Sequence, residues 1–354
     1  MAYTTIDDSS AYFNTLTWSG DNASSRSFTG LGFSPDWTWI KSRSDGAGHN
    51  LYDSVRGANK RLDSGGTGAE TTNHAFGRIS SFDSDGFTLE EGTYTNYESG
   101  DTNMTGRTYV GWSWRASDSN AVSNTDGSIT STISANTTAG FSIVTYTGTG
   151  SNATVGHGLG ATPKFIIAKN RDASEGWIID SSIITGNANG TLHFNTDAEY
   201  TGGSNQFGTH SSTNISIKTA GNINTGSQKY VAYCFAPIQG YSKIVSYEGN
   251  GNADGPFVYT GFKPSFILMK NIDAAENWLI YDNKRDPHNV TDEALLPNSG
   301  SASGGSANAM DLLSNGFKLR QSAGSLNGSN KTFVYMAFAE HPFVSSEGVP
   351  VTAR

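Results

Sequence analysis

Three segments of the chain repeat one pattern of glycine, proline, apolar strand and lysine. They read GFSPDWTWIKSR (residues 32–43), GATPKFIIAKNR (160–171) and GFKPSFILMKNI (261–272). Each proline lies 17 positions after an aromatic residue: Trp18 precedes Pro35, Tyr146 precedes Pro163 and Tyr247 precedes Pro264. Three equal spacings indicate that one module is present in three copies.

The same features follow downstream in each segment. An aspartate comes 11 or 12 residues after the lysine, and a final apolar strand reads YVGWSW (109–114), YVAYCF (230–235) or FVYMAF (333–338). A period of about 100 residues is longer than the repeats of solenoids and propellers, so it predicts tandem modules that each own a core. The recurring positions are Pro35, Pro163 and Pro264; Lys41, Lys169 and Lys270; and Asp53, Asp180 and Asp282.

The predicted modules span residues 12–116, 140–238 and 241–344, hereafter copies 1, 2 and 3. Residues 117–139 lack aromatics and are dominated by Ser, Thr and Asn, so they predict an extended linker or arm. Residues 345–354 form a C-terminal tail. Because the second junction is short, copies 2 and 3 are expected to pack together more rigidly than either packs against copy 1.

The composition is typical of β proteins with many turns. The chain has 42 glycines and only 16% charged residues, and its apolar segments are short, rich in aromatic and β-branched residues, and bounded by Gly, Asn, Asp or Pro. The best helix candidate, TDEALL (291–296), stops at Pro297. The sequence therefore predicts an all-β fold of three tandem antiparallel β-sandwich modules of jelly-roll or lectin-like character.

Charge and leader signals limit the partners. The net charge is −9 and no Lys/Arg cluster could neutralise a row of phosphates, so no nucleic-acid partner is expected. Neither a signal peptide nor an apolar run of membrane-spanning length is present, so no membrane insertion is expected. A virion protein is made in the host cytoplasm and released by lysis. Such a protein would combine an N-terminus without a signal peptide with the Ser/Thr/Asn-rich character of a surface protein.

The recurring lysines and aspartates have two interpretations. Recurrence in all three copies is consistent with a repeated ligand site. It is also consistent with a Lys–Asp pair that closes the open end of each sandwich, and this structural reading is favoured because such pairs are usually architectural.

Trp177 and Trp278 occupy matching places, each two residues after a glutamate, Glu175 or Glu276. A flat aromatic face beside a carboxylate suits sugar stacking, so these four residues form a hypothetical glycan site. Core packing is the favoured alternative. Two further tryptophan pairs, found only in copy 1, each share one face of a strand and are interpreted as core: Trp37 with Trp39, and Trp112 with Trp114.

No catalytic or metal-binding pattern is found in the sequence. Glu90 and Glu91 are adjacent in a strand, so their side chains point to opposite faces and cannot act together in glycoside hydrolysis. The seven histidines form no HxH, HxxxH or HExxH motif, so no transition metal and no cofactor are expected. Calcium held by oxygens of Asp- and Asn-rich turns stays an open alternative, although no EF-hand pattern is present. The single cysteine, Cys234, excludes an intrachain disulfide and is interpreted as a small core residue.

The repeated element resembles a repeat domain of tail-fibre-like and other structural proteins of marine, especially cyanobacterial, bacteriophages. The resemblance is carried by TGLGFSPDWTWIKSR with LYDSVRG (29–57), HGLGATPKFIIAKNR with WIIDSS (157–182) and YTGFKPSFILMKNI with WLIYDNKR (259–285). It covers most of the chain and implies a virion location. No coiled-coil or triple-stranded shaft is found in the sequence, so a compact fibre tip, baseplate component or capsid knob fits as well as a whole fibre.

The main hypothesis is a non-enzymatic bacteriophage virion protein, a tail-fibre or tail-tip appendage that contributes to recognition of host surface polysaccharide. A homo-oligomer is expected, taken as a trimer by analogy with such appendages. One alternative is a capsid-decorating knob, spike or baseplate connector that only docks onto other virion proteins. The other is a polysaccharide-degrading spike, because catalytic carboxylates in sandwiches come from distant strands.

Overall fold

The computed structural model describes residues 3–117, 120–186, 190–202 and 205–350. The chain is mostly β, with 44% of residues in strands and 4% in helices, and it forms several antiparallel sheets. Three α-helices are described, each a single turn: α1 Ser182–Thr185, α2 Gly221–Asn224 and α3 Gly324–Asn327. A 3-10 helix at Ser9–Ala11 precedes the first strand.

Copy 1 supplies nine strands. They are β1 Phe13–Ser19, β2 Ser25–Phe28, β3 Trp37–Ser42, β4 Asn50–Asp53, β5 Gly57–Leu62, β6 Thr71–Thr72, β7 Arg78–Asp83, β8 Gly86–Glu90 and β9 Thr108–Trp114. Six of them form a larger sheet in the order β1-β9-β3-β4-β5-β6, and the other three form a smaller sheet in the order β2-β8-β7.

Copy 2 and the segment before it supply the next nine strands. They are β10 Val122–Asn124, β11 Ser131–Asn136, β12 Phe141–Thr147, β13 Ala153–Gly156, β14 Phe165–Asn170, β15 Ile178–Asp180, β16 Leu192–His193, β17 Asn214–Ile217 and β18 Lys229–Phe235. The larger sheet has the order β10-β11-β12-β18-β14-β15-β16, and β13 pairs with β17.

Residues 120–139 are therefore not part of the extended linker that the composition of residues 117–139 predicts. Strands β10 and β11 extend the larger sheet of copy 2, and Ile129 and Ile133 are buried in its hydrophobic cluster. Two apolar anchors are enough to dock the segment, because Ser and Thr fit the half-buried surface of an edge strand.

Copy 3 supplies the last eight strands. They are β19 Ser242–Glu248, β20 Phe257–Tyr259, β21 Phe262–Asn271, β22 Leu279–Asp282, β23 Thr291–Ala294, β24 Gly304–Leu313, β25 Gly316–Leu319 and β26 Thr332–Pro342. The larger sheet has the order β19-β26-β21-β22, and the second sheet has the order β20-β25-β24-β23.

Two local predictions are wrong in copy 3. The helix candidate at 291–296 is strand β23, because pairing with β24 outweighs a helical propensity that Pro297 limits to about one turn. Pro35 and Pro163 precede their strands as expected, but Pro264 does not. It lies inside β21 at a register irregularity, where a missing N–H interrupts no regular ladder.

The three larger sheets share one plan. In each copy the first strand pairs with the last strand, and the last strand also pairs with the strand that carries or follows the recurring proline. That proline strand then pairs with the strand that comes next in the chain. The three orders are β1-β9-β3-β4, β12-β18-β14-β15 and β19-β26-β21-β22. A separate hydrophobic cluster in each copy takes side chains from the larger and the smaller sheet. The sequence repeat is therefore also a structural repeat.

The second face of each larger sheet is buried against the other two copies. One hydrophobic cluster, here called the central core, takes residues from all three copies. Among its aromatic members are Phe13, Trp37, Trp39, Trp112 and Trp114 of copy 1; Phe141, Phe165, Trp177 and Phe235 of copy 2; and Phe266, Trp278 and Phe338 of copy 3. The four tryptophans of copy 1 in this cluster are at most 1% exposed, so their predicted core role is confirmed.

Aromatic contacts join every pair of copies across the central core. The Trp37 and Tyr233 ring centroids lie 4.5 Å apart, those of Phe13 and Phe266 lie 5.5 Å apart, and those of Phe165 and Trp278 lie 6.3 Å apart. Each copy takes part in two of these three contacts. Copy 1 therefore packs against both other copies, and its short aromatic contacts give no sign of the looser packing expected from the sequence.

Candidate functional site

The three copies are arranged as a ring, and equivalent residues recur at its three junctions. At each junction a backbone N–H donates to the carbonyl of the residue two positions after the recurring lysine. The donor and acceptor pairs are Glu70 to Arg171 (2.8 Å), Tyr200 to Ile272 (2.9 Å) and Ser303 to Arg43 (2.7 Å). Copy 2 thus meets copy 1, copy 3 meets copy 2 and copy 1 meets copy 3, which gives a pseudo-threefold arrangement within one chain.

The two tryptophans of the hypothetical glycan site lie at these junctions. Trp177 Nε1 donates to the Asp63 carbonyl of copy 1 at 2.7 Å, and Trp278 Nε1 donates to the His193 carbonyl of copy 2 at 3.0 Å. The indoles are 0% and 1% exposed, so neither offers a face to a sugar. The glycan-stacking hypothesis therefore fails for both residues.

Glu175 and Glu276 are half-buried in the turns that lead to these indoles. The Glu175 N–H donates to the Ala173 carbonyl and the Glu276 N–H donates to the Ala274 carbonyl, each at 3.0 Å. The two glutamates are in different copies and share no exposed aromatic face with the tryptophans. They belong to the local turn that positions each indole.

His49 holds the corresponding place at the third junction. It follows Lys41 by eight residues, as the two tryptophans follow their lysines. Its Nδ1 accepts from Trp39 Nε1 at 2.8 Å, so the proton lies on Nε2, which faces the Leu296 carbonyl of copy 3 at 2.9 Å. Burial, then the nearby Lys41 cation, lowers the pKa of His49 to about 3, so the ring stays neutral.

The recurring lysines do not pair with the recurring aspartates. All three are buried, and each ammonium donates to backbone carbonyls of the turn that follows its strand. Lys41 Nζ also donates to the Gly300 carbonyl of copy 3 at 3.1 Å. Burial lowers the pKa of each lysine to about 8. The predicted Lys–Asp pair is wrong. Each ammonium instead bonds carbonyls one to four residues further along the chain, whereas the recurring aspartate follows 11 or 12 residues later.

Two of the recurring aspartates form buried ion pairs with an arginine three residues on. Asp53 pairs with Arg56 and Asp282 pairs with Arg285, and all four side chains are fully buried. A neighbouring copy completes each pair: the Tyr233 hydroxyl donates to Asp53 Oδ2 at 2.7 Å, and Trp112 Nε1 donates to Asp282 Oδ2 at 3.0 Å. Both donors occupy the fourth position of a closing strand.

The junction of copies 2 and 3 lacks this network. Met336 stands at the donor position of copy 3 and cannot donate, and the residue three positions after Asp180 is an isoleucine. Asp180 pairs with His210 of its own copy instead. Ile272, 7% exposed, also replaces the arginine found at 43 and 171. The junction of copies 3 and 2 is therefore held mainly by apolar contacts.

Each of the two polar junctions also has one ion pair that joins two copies. Glu70 of copy 1 contacts Arg171 of copy 2 at 2.8 Å, and Glu293 of copy 3 contacts Arg43 of copy 1 at 2.9 Å. Burial raises the pKa of Glu70, but the hydrogen bonds from Arg171 and Arg56 outweigh it and leave the pKa below its usual value. Each of these carboxylates is paired with an arginine of another copy, which suits a structural role.

Neither a metal-binding cluster nor a membrane-spanning helix is found in the residues that the structure describes. No group of three His, Cys, Asp or Glu side chains in that part of the chain is placed to hold a metal ion. Among the same residues, no helix has the length and apolar character needed to cross a membrane.

An exposed aromatic cluster lies in the connection between β8 and β9. This connection has 17 residues, against 11 and 12 in copies 2 and 3. Tyr94 is 54% and Tyr97 46% exposed. The centroid of Tyr94 lies 4.6 Å from that of Phe76 and 6.5 Å from that of Tyr97. We call Phe76, Tyr94 and Tyr97 the aromatic shelf.

Backbone hydrogen bonds hold the aromatic shelf in place. The Tyr94 N–H donates to the Ala75 carbonyl at 3.0 Å, the Tyr97 N–H donates to the Tyr94 carbonyl at 2.9 Å, and the Gly92 N–H donates to the Glu98 carbonyl at 2.6 Å. A Cβ on Gly92 would lie 2.0 Å from the Ala75 carbonyl oxygen, so this close approach requires glycine.

Tyr94 and Tyr97 were not predicted as site residues, although the sequence carries a signal for them. When the copies are aligned on their closing strands, copy 1 carries extra residues that include both tyrosines. Trp177 and Trp278 were interpreted as a possible site because they occupy matching places in two copies. Residues that recur across the copies lie instead at the junctions between copies. Residues specific to one copy are the better guide to a surface site.

The buried tyrosine contact allows a test of the polar junction. Tyr233→Phe removes the hydroxyl that bonds Asp53 and Arg56, so we expect a loss of about 1–3 kcal/mol in the free energy of unfolding. The matched control is Tyr335→Phe, because the buried Tyr335 hydroxyl has no hydrogen-bond partner within the described residues. Urea unfolding of both variants measures the difference, and equal losses would contradict the assigned role of Tyr233.

His49 should make the stability depend on pH. Its pKa is about 3 in the folded chain and near 6.5 when unfolded, so between these values the unfolded state binds more protons. The free energy of unfolding should therefore fall, by up to about 1.4 kcal/mol for each pH unit below 6.5. In His49→Gln, which keeps a donor and an acceptor, unfolding measured from pH 7 to pH 4 should show a shallower slope. An unchanged slope would rule out this contribution.

The comparison with known families covers most of the chain. Residues 8–342 match the family described as Domain of unknown function (DUF7483). A search of curated proteins finds no match. Because the family match includes all three copies, the family corresponds to the whole ring and not to one module. The chain belongs to the DUF7483 family.

Proposed function

We propose that this chain is a non-enzymatic bacteriophage virion protein, of tail-fibre or tail-tip type, that binds host surface polysaccharide through the aromatic shelf. The observation that carries the proposal is the pair of exposed tyrosines, Tyr94 and Tyr97, on a connection that is longer only in copy 1.

The shelf has the chemistry that sugar binding needs. Sugar C–H faces are apolar and stack on flat rings, whereas their hydroxyl groups need hydrogen-bond partners at the edge. Phe76 packs against Tyr94, and the Arg107 guanidinium lies 6.0 Å from the Tyr97 centroid, so the protein supports each ring from one side. Asn96 and Glu98 supply polar groups at the rim.

Preorganisation also favours binding. The hydrogen bonds from Tyr94, Tyr97 and Gly92 fix the loop before any ligand arrives. A tyrosine has few rotatable bonds, so placing it against a ligand costs little conformational entropy. A polysaccharide that repeats the same unit could therefore be held by a small, rigid contact.

The virion part of the proposal rests on the resemblance of the repeated element to phage structural proteins. The strand pairing of copy 1 is consistent with a sandwich module of the kind proposed. Its first and last strands pair in the larger sheet and β2 pairs with β8 in the smaller sheet, an arrangement also seen at the centre of jelly rolls. We interpret each copy as such a two-sheet module. Other virion proteins would be its partners.

A purely architectural role is the second candidate, and the central core favours it. Three similar copies closed around one axis suit a position of threefold symmetry on a particle, such as a capsid decoration or a baseplate connector. Such a protein would bind no glycan, so the binding experiment below separates the two roles.

The pseudo-threefold ring changes the expected oligomer. The faces with which three single-copy subunits would meet are already buried inside one chain. We therefore propose that the three fused copies replace the homotrimer expected from the sequence. Light scattering at micromolar concentration should give the mass of one chain, 37.5 kDa. Three times that mass would contradict the proposal and restore the homotrimer.

The aromatic shelf is tested by removing its rings. Tyr94→Ala with Tyr97→Ala should weaken binding to host envelope polysaccharide by about tenfold or more, because exposed aromatic anchors commonly contribute over 1 kcal/mol each. Binding is measured by surface plasmon resonance on immobilised polysaccharide. Phe257→Ala, which removes a ring that is 44% exposed in copy 3, is the control and should bind as the wild type does. No binding by the wild type would favour the architectural role.

A further inference from the structure

A cleft of about 340 Å³ opens where copy 3 follows copy 2 along the chain. Lys164 of copy 2 and Lys243 of copy 3 line it, together with Gln239 of the connection. Tyr3 and Tyr259 lie at the same cleft. No carboxylate side chain is among its lining residues.

Two other clefts have a different charge. The cleft between copies 3 and 1, about 310 Å³, is lined by Lys284 and Glu340 among others. The cleft between copy 1 and the segment that follows it, about 770 Å³, is lined by Asp36 and Arg115 among others. Each of these clefts therefore combines a cation with a carboxylate, whereas the cleft between copies 2 and 3 combines two cations.

The repeat shows that both lysines are specific to their copies. Lys164 follows the recurring proline, and copies 1 and 3 have Asp36 and Ser265 at that place. Lys243 lies opposite Ala337 in the closing strand, and the strand register gives Asn14 and Ser142 as its counterparts. Two unrelated positions have thus become lysine in the two copies that meet at this cleft.

Neither lysine is neutralised by the protein. Within the described residues no ion pair involves Lys164 or Lys243, although other half-buried lysines are paired, as Lys263 is with Glu340 at 2.7 Å. Lys164 and Lys243 line the same cleft and have no carboxylate partner there, so both would attract a bound anion. The charge of the cleft therefore favours a ligand with a carboxylate or a phosphate.

The tyrosines add a sugar-binding feature to this charge. The Tyr3 hydroxyl donates to the Gly261 carbonyl at 2.9 Å, and its oxygen lies 3.3 Å from the Tyr259 hydroxyl, so the two side chains are fixed side by side. Tyr259 remains 50% exposed. The cleft combines the Tyr259 ring with two lysines and the Gln239 amide. This combination suits an acidic sugar better than an acidic peptide, because only the sugar needs a flat aromatic face to stack on.

We propose that the cleft lined by Lys164 and Lys243 binds anionic saccharides, with the acidic group at the two lysines and a sugar face on Tyr259. The site is independent of the aromatic shelf and lies in different copies. Its volume is within the range of small-ligand sites, so it would hold one or two sugar residues of a longer chain.

The experiment uses the full chain and two forms of one oligosaccharide. Calorimetry at low ionic strength should show binding of tetragalacturonate and at least tenfold weaker binding of its methyl ester, which keeps the sugar skeleton but has no charge. Lys164→Ser with Lys243→Asn should weaken tetragalacturonate binding by about tenfold or more. Both new residues already occur at the equivalent places, as Ser265 and Asn14, so the variant is expected to fold, and its thermal unfolding checks this.

Two controls separate this site from the rest of the surface. Lys284→Ser removes an exposed lysine from the cleft between copies 3 and 1 and should leave binding unchanged. Tyr94→Ala with Tyr97→Ala should also leave it unchanged, so a failure of the aromatic shelf does not affect the result.

Four outcomes would overturn the proposal. They are absence of tetragalacturonate binding to the wild type, equal binding of the methyl ester, wild-type affinity in the double lysine variant, and tighter binding of tetraglutamate than of tetragalacturonate. The last result would assign the cleft to acidic polypeptides.

Discussion

The structure depends on burial of the second face of each larger sheet. A sheet packed on one side only by a smaller sheet would expose a continuous surface of Trp, Phe, Ile and Leu, far larger than the apolar patches of monomeric proteins. The central core removes all three surfaces from water at once. At roughly 25 cal/mol for each Å² of apolar surface, this burial is the largest favourable contribution that joins the copies. The polar junction contacts then fix the register in which the sheets meet.

The junctions also show how a buried polar group is tolerated. Asp53 and Asp282 are each satisfied by an arginine of their own copy and a donor of the next copy. Where the donor position holds Met336, the arginine is also absent and Asp180 turns to His210. Donor and arginine change together because a buried charge without partners is strongly unfavourable. The ring therefore has two polar junctions and one apolar junction.

Much of this fold could be predicted from the sequence, but the arrangement of the copies could not. Equal spacings around Pro35, Pro163 and Pro264 identified the repeat, and short apolar runs such as FIIAK and FILMK indicated strands. The sequence does not say what covers the second face, because contacts between copies leave no local period. For the same reason Trp177 and Trp278 resembled a surface site. Lys41 and Asp53 recur together, yet spacing along the chain cannot show that each finds a different partner.

The central core also has a consequence for synthesis of the chain. Phe13 and Phe338 stack with their centroids 5.2 Å apart, although nearly the whole sequence separates them. Copy 1 leaves the ribosome with its tryptophan face uncovered, and the strand that completes that cover is made last. At about 5–20 residues per second, the face stays open for roughly ten to fifty seconds. Nascent copy 1 is thus the stage of biogenesis most exposed to aggregation and most dependent on chaperones.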